Sequence, residues 1–368
     1  MVRLARAVGV AALVGLAALG GACDDSGTVA KCFPGTAGAD KGAFPSSLSA
    51  YCMVTLQNGT VTANDGVTPY DLQTPLFSDY AVKYRTVWMP PGTSVSYVEG
   101  SRFEFPVGTV ITKSFGFPAD LRDTNAPVKW IETRVLVHRT TGWKGVSYRW
   151  DDAQQNATIE PGGEVLDFTF VNTNGTELSP HYLVPSQAEC PKCHANNGSV
   201  ITLGPWANQL NRDFTYPDGT KENELTHWSR IGILEGAPSP SQAPVLPSAF
   251  DPTTGDVASR ARAYLQANCA YCHSEGGEAR TTGLDLGYDE TGSMQLGICK
   301  MPIAAGKAGE GQSYDIVPQH PESSILVYRM ESTAPAIAMP EIGRSLEHFE
   351  AVELISDWIN SMPATNCQ

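Results

Sequence analysis

The sequence has few basic residues and few of the residue types that bind metals. It contains 25 Lys and Arg against 39 Asp and Glu, a formal net charge of −14. Such a charge makes nucleic acids and anionic lipid surfaces poor partners. Beyond an N-terminal run from Ala7 to Leu19, no stretch is long and apolar enough to predict a membrane-spanning helix. Histidine occurs seven times and cysteine nine times, so a motif that combines them rarely arises by chance.

A motif of these two scarce residue types occurs twice, as Cys190-Pro191-Lys192-Cys193-His194 and as Cys269-Ala270-Tyr271-Cys272-His273. In this pattern two thiols can form thioethers with the vinyl groups of one haem, while the adjacent imidazole binds the iron. The sequence therefore predicts two covalently bound haem c groups. The predicted thioethers are at Cys190, Cys193, Cys269 and Cys272, and the predicted proximal iron ligands are His194 and His273.

A structural zinc site built from the two Cys-x-x-Cys pairs is the main alternative. In zinc ribbons such pairs lie about 15–20 residues apart. Here 75 residues separate Cys193 from Cys269. The spacing favours haem.

The N-terminal residues resemble a bacterial export signal with a lipid attachment site. Arg3 and Arg6 precede the apolar run, and Gly20-Gly21-Ala22-Cys23 follows it. Small residues before a cysteine resemble the lipoprotein processing site, although Gly20 stands where a branched apolar residue is preferred. We expect residues 1–22 to be a lipoprotein signal peptide, Cys23 to be lipidated, and the protein to be exported and membrane-anchored, in the periplasm or at the cell surface. An ordinary secretory signal is the alternative, and it also implies export.

Four cysteines remain after lipidation and haem attachment: Cys32, Cys52, Cys299 and Cys367. An even number of thiols in an exported protein predicts two disulfides. Three connectivities are possible. We favour Cys32 with Cys52 and Cys299 with Cys367, because each pair closes a loop within one end of the chain.

The distribution of strand and helix patterns predicts an α+β multidomain protein. Short β-branched and aromatic runs between turn residues predict a β-sandwich-like module over residues 65–183, with strands at 81–88, 109–115, 131–138, 145–150 and 165–171. Two small, mainly α-helical cytochrome c-type haem units are expected at 184–236 and 255–368, separated by a Pro-rich linker at 237–254. Residues 23–64 are expected to be a tether and N-terminal segment.

The second haem unit contains a candidate sixth iron ligand. Helices are predicted over residues 257–266 and 346–362, the latter with Ser345 as its N-cap. Two such helices with a loop between them resemble the small single-haem cytochrome c domain. The resemblance implies an axial methionine just ahead of the last helix, and Met339, before Pro340, lies there. Met301 and Met330 are its competitors.

The first haem has a less certain sixth ligand, because no methionine occurs between His194 and the second motif. His227 is the only histidine in that interval, and a bis-histidine, lower-potential haem is the simplest interpretation. His138 and His181 are alternatives from the β-rich module. An iron without a sixth protein ligand is the remaining possibility, and it would permit catalysis.

Six segments together resemble a known family: Leu76-Phe77-Ser78-Asp79-Tyr80, Phe105-Pro106-Val107-Gly108-Thr109, Ile131-Glu132-Thr133-Arg134, Gln209-Leu210-Asn211, Asn268-Cys269-Ala270-Tyr271-Cys272-His273 and Met339-Pro340-Glu341-Ile342-Gly343-Arg344-Ser345. They are similar to those of the exported diheme c-type cytochromes of bacteria, which are often lipoproteins. The resemblance covers most of residues 65–362. It implies a redox role with irons cycling between Fe(III) and Fe(II), without specifying a substrate.

The sequence therefore favours an electron-transfer protein with redox proteins as donor and acceptor. The alternatives are a peroxidase-like diheme enzyme with an open iron at the first haem and a relay subunit for an exported dehydrogenase. A further interpretation makes the β-rich module a partner-binding or polymer-binding domain.

Overall fold

The computed structural model describes residues 34–35, 42–303, 309 and 311–367. The predicted signal peptide, Cys23 and Cys32 lie outside the described residues. Among the described residues, no helix has the length and apolar character needed to cross a membrane.

In the part of the chain that the structure describes, strand residues outnumber helical ones, at 26% against 19%, so this part is mostly β. The strands are β1 (Val54–Gln57), β2 (Thr60–Ala63), β3 (Thr68–Tyr70), β4 (Val82–Trp88), β5 (Val95–Ser96), β6 (Val110–Pro118), β7 (Val128–Arg139), β8 (Gly142–Trp150), β9 (Ala157–Ile159), β10 (Glu164–Asp167), β11 (Phe170–Val171), β12 (Glu177–Leu178), β13 (His181–Val184), β14 (Ala195–Asn196), β15 (Ser199–Val200), β16 (Asp213–Thr215), β17 (Lys221–Asn223) and β18 (Leu234–Glu235). The α-helices are α1 (Cys190–His194), α2 (Ala207–Leu210), α3 (Glu224–Arg230), α4 (Val257–Asn268), α5 (Ile325–Glu331) and α6 (Phe349–Ser361).

One antiparallel sheet of six strands dominates the fold, in the order β3-β4-β6-β7-β8-β9. Its central strands coincide with four of the predicted ones, because alternating β-branched and aromatic residues mark a pleated, half-buried surface. The β1–β2 hairpin and a 3₁₀ turn at Leu48–Tyr51 cover one face, where Met53 and Val61 pack against Val135 and Tyr148. The opposite face borders the cavity described below.

The prediction of a β-sandwich-like module followed by two small helical cytochrome c units is wrong. The first motif occupies a helix of five residues, and α2 and α3 have four and seven residues. These helices do not enclose a core of their own, because Leu210, Leu225 and Trp228 pack with Val87 and Ile111 of the large sheet. A core shared with the sheet replaces the expected separate unit.

The C-terminal helices are also tied to the sheet region. α4 and α6 pack together around Leu265, Ile355 and Trp358. The helix predicted to begin at residue 346 begins at Phe349, and Ser345 is not its N-cap. The reason is a competing partner: the amide and hydroxyl of Ser345 both donate to Asp79, 266 residues away in the chain.

Candidate functional site

The first Cys-x-x-Cys-His motif packs directly against the six-stranded sheet. A capping box between Ser186 and Glu189 stabilises the turn that leads into α1. The sulfur of Cys190 then lies over Gly145 of β8, where a Cβ atom would be 3.2 Å from it. Glycine at position 145 therefore provides the space that this thiol occupies.

Cys190, Cys193 and His194 line a cavity that holds about 1600 Å³ of atom-free space, including its opening to solvent. One wall is formed by side chains of β4, β6, β7 and β8, and Tyr271 of the second motif borders the cavity as well. The first motif therefore faces a cavity whose opposite wall is the six-stranded sheet.

Both motif histidines are held with one ring nitrogen free. Nδ1 of His194 lies 2.8 Å from the carbonyl oxygen of Ile201, and Nδ1 of His273 lies 3.3 Å from Oγ1 of Thr282. The Thr282 hydroxyl donates its own hydrogen to the carbonyl of Ala279, so it accepts from His273. In each imidazole Nδ1 is therefore the donor, which leaves the Nε2 lone pair available for a metal.

Burial lowers the pKa of His194 and of His273 to about 4. Nearby cations act in the same direction, with Lys113 and Arg134 at His194 and Arg329 at His273. Both imidazoles are therefore neutral at pH 7, which is the protonation state of an iron ligand.

The four motif cysteines are free thiols. Burial raises the pKa of Cys269 and of Cys272 to about 12, and it also raises the pKa of Cys190 and Cys193. Zinc would bind such thiols as thiolates, with release of their protons. The described part of the chain contains no group of three or more His, Cys, Asp or Glu side chains that could hold a metal ion. Each motif presents two free thiols and an imidazole with a free Nε2, which are the groups that would hold a covalent haem.

The two motifs touch each other. Sγ of Cys272 lies 3.6 Å from the carbonyl oxygen of Lys192. In the loops that follow the motifs, the amide of Asn197 donates to the carbonyl of Gly276 at 2.8 Å. Two sites that are 80 residues apart in sequence are therefore neighbours in the folded chain.

The loop that contains Met339 is fixed near the second motif. The Met339 amide donates to the carbonyl of Arg329, and the Arg344 guanidinium donates to the carbonyl of Met339. Arg329 is close enough to His273 for its charge to lower the pKa of that imidazole. Met339 is half-buried, whereas Met330 lies in the α4–α6 core and Met301 is 68% exposed. Met339 stays a prediction as the sixth ligand of the second haem.

The three histidines considered for the first haem do not line the cavity. His227 stacks on Tyr216 with ring centres 3.4 Å apart and pairs with Glu222. His138 stacks on Trp143. The side chain of His181 is 78% exposed and pairs with Asp167. Among the described residues that line the cavity, His194 is the only histidine and no methionine occurs.

Cys299 and Cys367 form a disulfide with their Cα atoms 5.0 Å apart. Cys52 is disulfide-bonded as well. The partner that the sequence favours for it, Cys32, lies outside the described residues.

A group of cations in the cavity was missed by the sequence analysis. Arg85, Lys113 and Arg134 all line it beside the first motif. Charged residues at alternate positions in otherwise apolar strands were the available signal. The strand register that brings the three together cannot be obtained from that alternation.

Segments that share the family resemblance meet around Phe77 and Asp79. The Asp79 carboxylate accepts from the amides of Ser345 and Leu346 and from the Ser345 hydroxyl. The Phe77 amide donates to Oδ1 of Asn268, directly before the second motif. These bonds hold the second motif and the Met339 loop against the sheet region.

Comparisons of this chain with protein-family models, with curated proteins and with solved structures found no match.

Proposed function

We propose that this protein is an exported, lipid-anchored diheme c-type cytochrome that passes single electrons between redox partner proteins. The observation that carries the proposal is the contact between the two attachment motifs, with Sγ of Cys272 3.6 Å from the carbonyl oxygen of Lys192. Haem c supplies reversible one-electron exchange at its iron when bound. Contact between the motifs would bring two such centres close together within one fold.

Each motif residue has a defined role in this proposal. The thiols of Cys190, Cys193, Cys269 and Cys272 form the covalent attachments. His194 and His273 present Nε2 to the irons, and the acceptors on Nδ1, the Ile201 carbonyl and the Thr282 hydroxyl, fix the ring orientation. Met339 is proposed as the sixth ligand of the second haem.

The acidic chain favours partners with a basic docking face. Complementary charge raises the rate of encounter more than it raises affinity. Each reduction must be followed by oxidation, so an electron donor and an acceptor both belong to the working system.

The test begins with expression of the full chain together with a haem c attachment system. We expect a mass that corresponds to two covalent haems, and one haem when Cys269 and Cys272 are both replaced by serine. EPR and magnetic circular dichroism spectra of the oxidised protein then distinguish His/Met, bis-His and high-spin irons. A wild-type protein without covalent haem, or with haems that external redox proteins neither reduce nor oxidise, would contradict the proposal.

A peroxidase-like diheme enzyme is the second candidate. It is favoured by one observation: His194 is the only histidine among the described residues that line the cavity, and no methionine lines it. Such an enzyme would show a high-spin ferric signal and would turn over hydrogen peroxide. A carrier with two six-coordinate irons would show neither.

A further inference from the structure

Three cations lie in one row across the cavity wall. Arg85 of β4 is the cross-strand partner of Lys113 of β6, and Lys113 is the cross-strand partner of Arg134 of β7. Residues directly opposite each other in an antiparallel sheet have Cβ atoms about 4.5–5.5 Å apart, and like charges in such pairs are destabilising. A row of three cations therefore needs negative charge close by.

The carboxylates of the fold neutralise part of this row. Arg85 pairs with Asp71, and Arg134 pairs with Glu132 at 2.6 Å. No described carboxylate lies within ion-pair distance of Lys113, whose ammonium lies 4.8 Å from the centre of the Phe115 ring. The middle position of the row therefore has a cation with no anion.

A second, independent observation also indicates a missing anion. The Arg85 side chain is 4% exposed, and its Nη2 is buried without a hydrogen-bond partner among the described residues. A buried donor without a partner is destabilising, and more so when it is charged. Without an added anion, burial together with the neighbouring charges of Arg85, Lys83 and Arg134 lowers the pKa of Lys113 well below its usual range, so the charged form of Lys113 requires a negative partner at this position.

We propose that Arg85, Lys113 and Arg134 form a buried carboxylate-binding site for the propionate groups of the haem attached at Cys190 and Cys193. The inference rests on the proposed function, since it requires haem at the first motif. It is supported by placement, because the row and the two thiols line the same cavity. It is also supported by chemistry, because guanidinium and ammonium groups are the strong partners of carboxylates. The anions that the sheet lacks are then supplied by the cofactor.

The decisive variant is Lys113→Met, which keeps the length and apolar stem of the side chain and leaves no protein anion unpaired. Lys144→Met is the matched control, because Lys144 lies in the same sheet, on β8, and is exposed. Both variants are purified as full chains with covalent haem. Mass spectrometry counts the haems, redox titration gives both midpoint potentials, and resonance Raman spectra report the propionate bending bands.

Loss of a positive charge beside the first haem favours its oxidised form. We expect Lys113→Met to retain two haems, to lower one midpoint potential and to shift the propionate bands of that haem. The other potential, and both potentials of Lys144→Met, should equal those of the wild type. Lys113→Arg, which retains the charge, should restore the wild-type potential.

Two results would overturn the site while leaving the proposed function intact. One is a Lys113→Met protein with two haems and with unchanged potentials and propionate bands. The other is a free anion at the row, detected when phosphate or formate perturbs the haem spectrum of the wild type but not that of Lys113→Met. A wild-type protein without covalent haem would instead contradict the proposed function, and this site with it.

Discussion

The sulfur of Cys272 lies 3.6 Å from the backbone carbonyl of Lys192. This contact joins the two Cys-x-x-Cys-His motifs, and the loops that follow them extend it through Asn197 and Gly276. If both motifs attach haem, the oxidation state of one iron should shift the midpoint potential of the other. The reason is that charges at short distance in a buried setting interact strongly.

Gly276→Ala should weaken the effect that the oxidation state of one haem has on the midpoint potential of the other. A Cβ atom at Gly276 would lie 2.7 Å from Nδ2 of Asn197 and 2.8 Å from Oδ1 of Asn196, so both side chains must move. Gly219→Ala is the matched control, since Gly219 also has a positive φ but faces open space. Both variants should lose about 1–2 kcal/mol from left-handed backbone strain. Only Gly276→Ala should change the separation of the two midpoint potentials, measured by redox titration. Equal separations in the two variants would contradict the prediction.

Gly145→Val should impair haem attachment at the first motif. A Cβ atom there would lie 3.2 Å from Sγ of Cys190 and 3.0 Å from Cδ2 of Leu136, so the thiol is displaced. We also expect a loss of about 1–3 kcal/mol of stability from overpacking. Mass spectrometry should detect a one-haem species whose remaining haem is at Cys269 and Cys272. Gly162→Val, where the nearest atom is the mobile Glu160 carboxylate, should retain two haems. A Gly145→Val protein that retains two covalent haems would contradict the prediction, because it would show that the displaced Cys190 thiol can still attach haem.

Thr282→Val should raise the midpoint potential of the second haem. The Thr282 hydroxyl accepts a hydrogen bond from Nδ1 of His273, which makes the imidazole a stronger donor to oxidised iron. Valine preserves the shape and removes the acceptor. The neighbouring Thr281→Val is the control, because Thr281 is exposed. Redox titration and the iron–histidine stretching band in resonance Raman spectra provide the measurement. The idea fails if Thr281→Val and Thr282→Val give the same potential.

Asp79→Ala should destabilise the protein by about 2–3 kcal/mol, because it leaves two backbone amides without their acceptor. Asp167→Ala should change stability by less than about 1 kcal/mol, since Asp167 forms an exposed pair with His181. Urea unfolding followed by circular dichroism measures both variants. Similar urea midpoints for Asp79→Ala and Asp167→Ala would mean that Asp79 does not hold the segment at Ser345 in place.

His348 should make stability decrease as the pH falls. It stacks on Phe77 with ring centres 4.0 Å apart, and burial lowers its pKa to about 3, with Lys83 and Arg344 acting in the same direction. Between its unfolded pKa of about 6.5 and this value, the unfolded chain binds the additional proton, so the free energy of unfolding falls with the pH. The contribution is at most about 1.4 kcal/mol per pH unit. His348→Phe keeps an aromatic stack without a titrating group, so its urea-unfolding curve should depend less on pH from 6.5 down to 3. Identical pH profiles for the variant and the wild type would remove His348 as the cause.

Local chemistry explains which features could be predicted from the sequence. Cys190 to His194 and Cys269 to His273 each contain the Cys-x-x-Cys-His pattern within five residues, so no tertiary contact is needed to recognise it. The strands β4, β6, β7 and β8 follow from side-chain alternation, which has a fixed period of two. The pairing of Cys299 with Cys367, present in the structure, follows from counting thiols at one end of the chain.

Long-range contacts decided the remaining features. The helical unit expected around the first motif does not form, because the apolar residues of α2 and α3 pack into a core on the sheet. Ser345 does not cap the last helix because its amide and hydroxyl donate to the Asp79 carboxylate instead. The register that aligns Arg85, Lys113 and Arg134 depends on which strands pair, and a shift by one residue would turn all three to the other face. The sequence by itself determined the two Cys-x-x-Cys-His motifs, because each is a local pattern of five residues. Only the tertiary structure decided that the motifs touch and that a row of cations borders the first one, because both depend on contacts between distant segments.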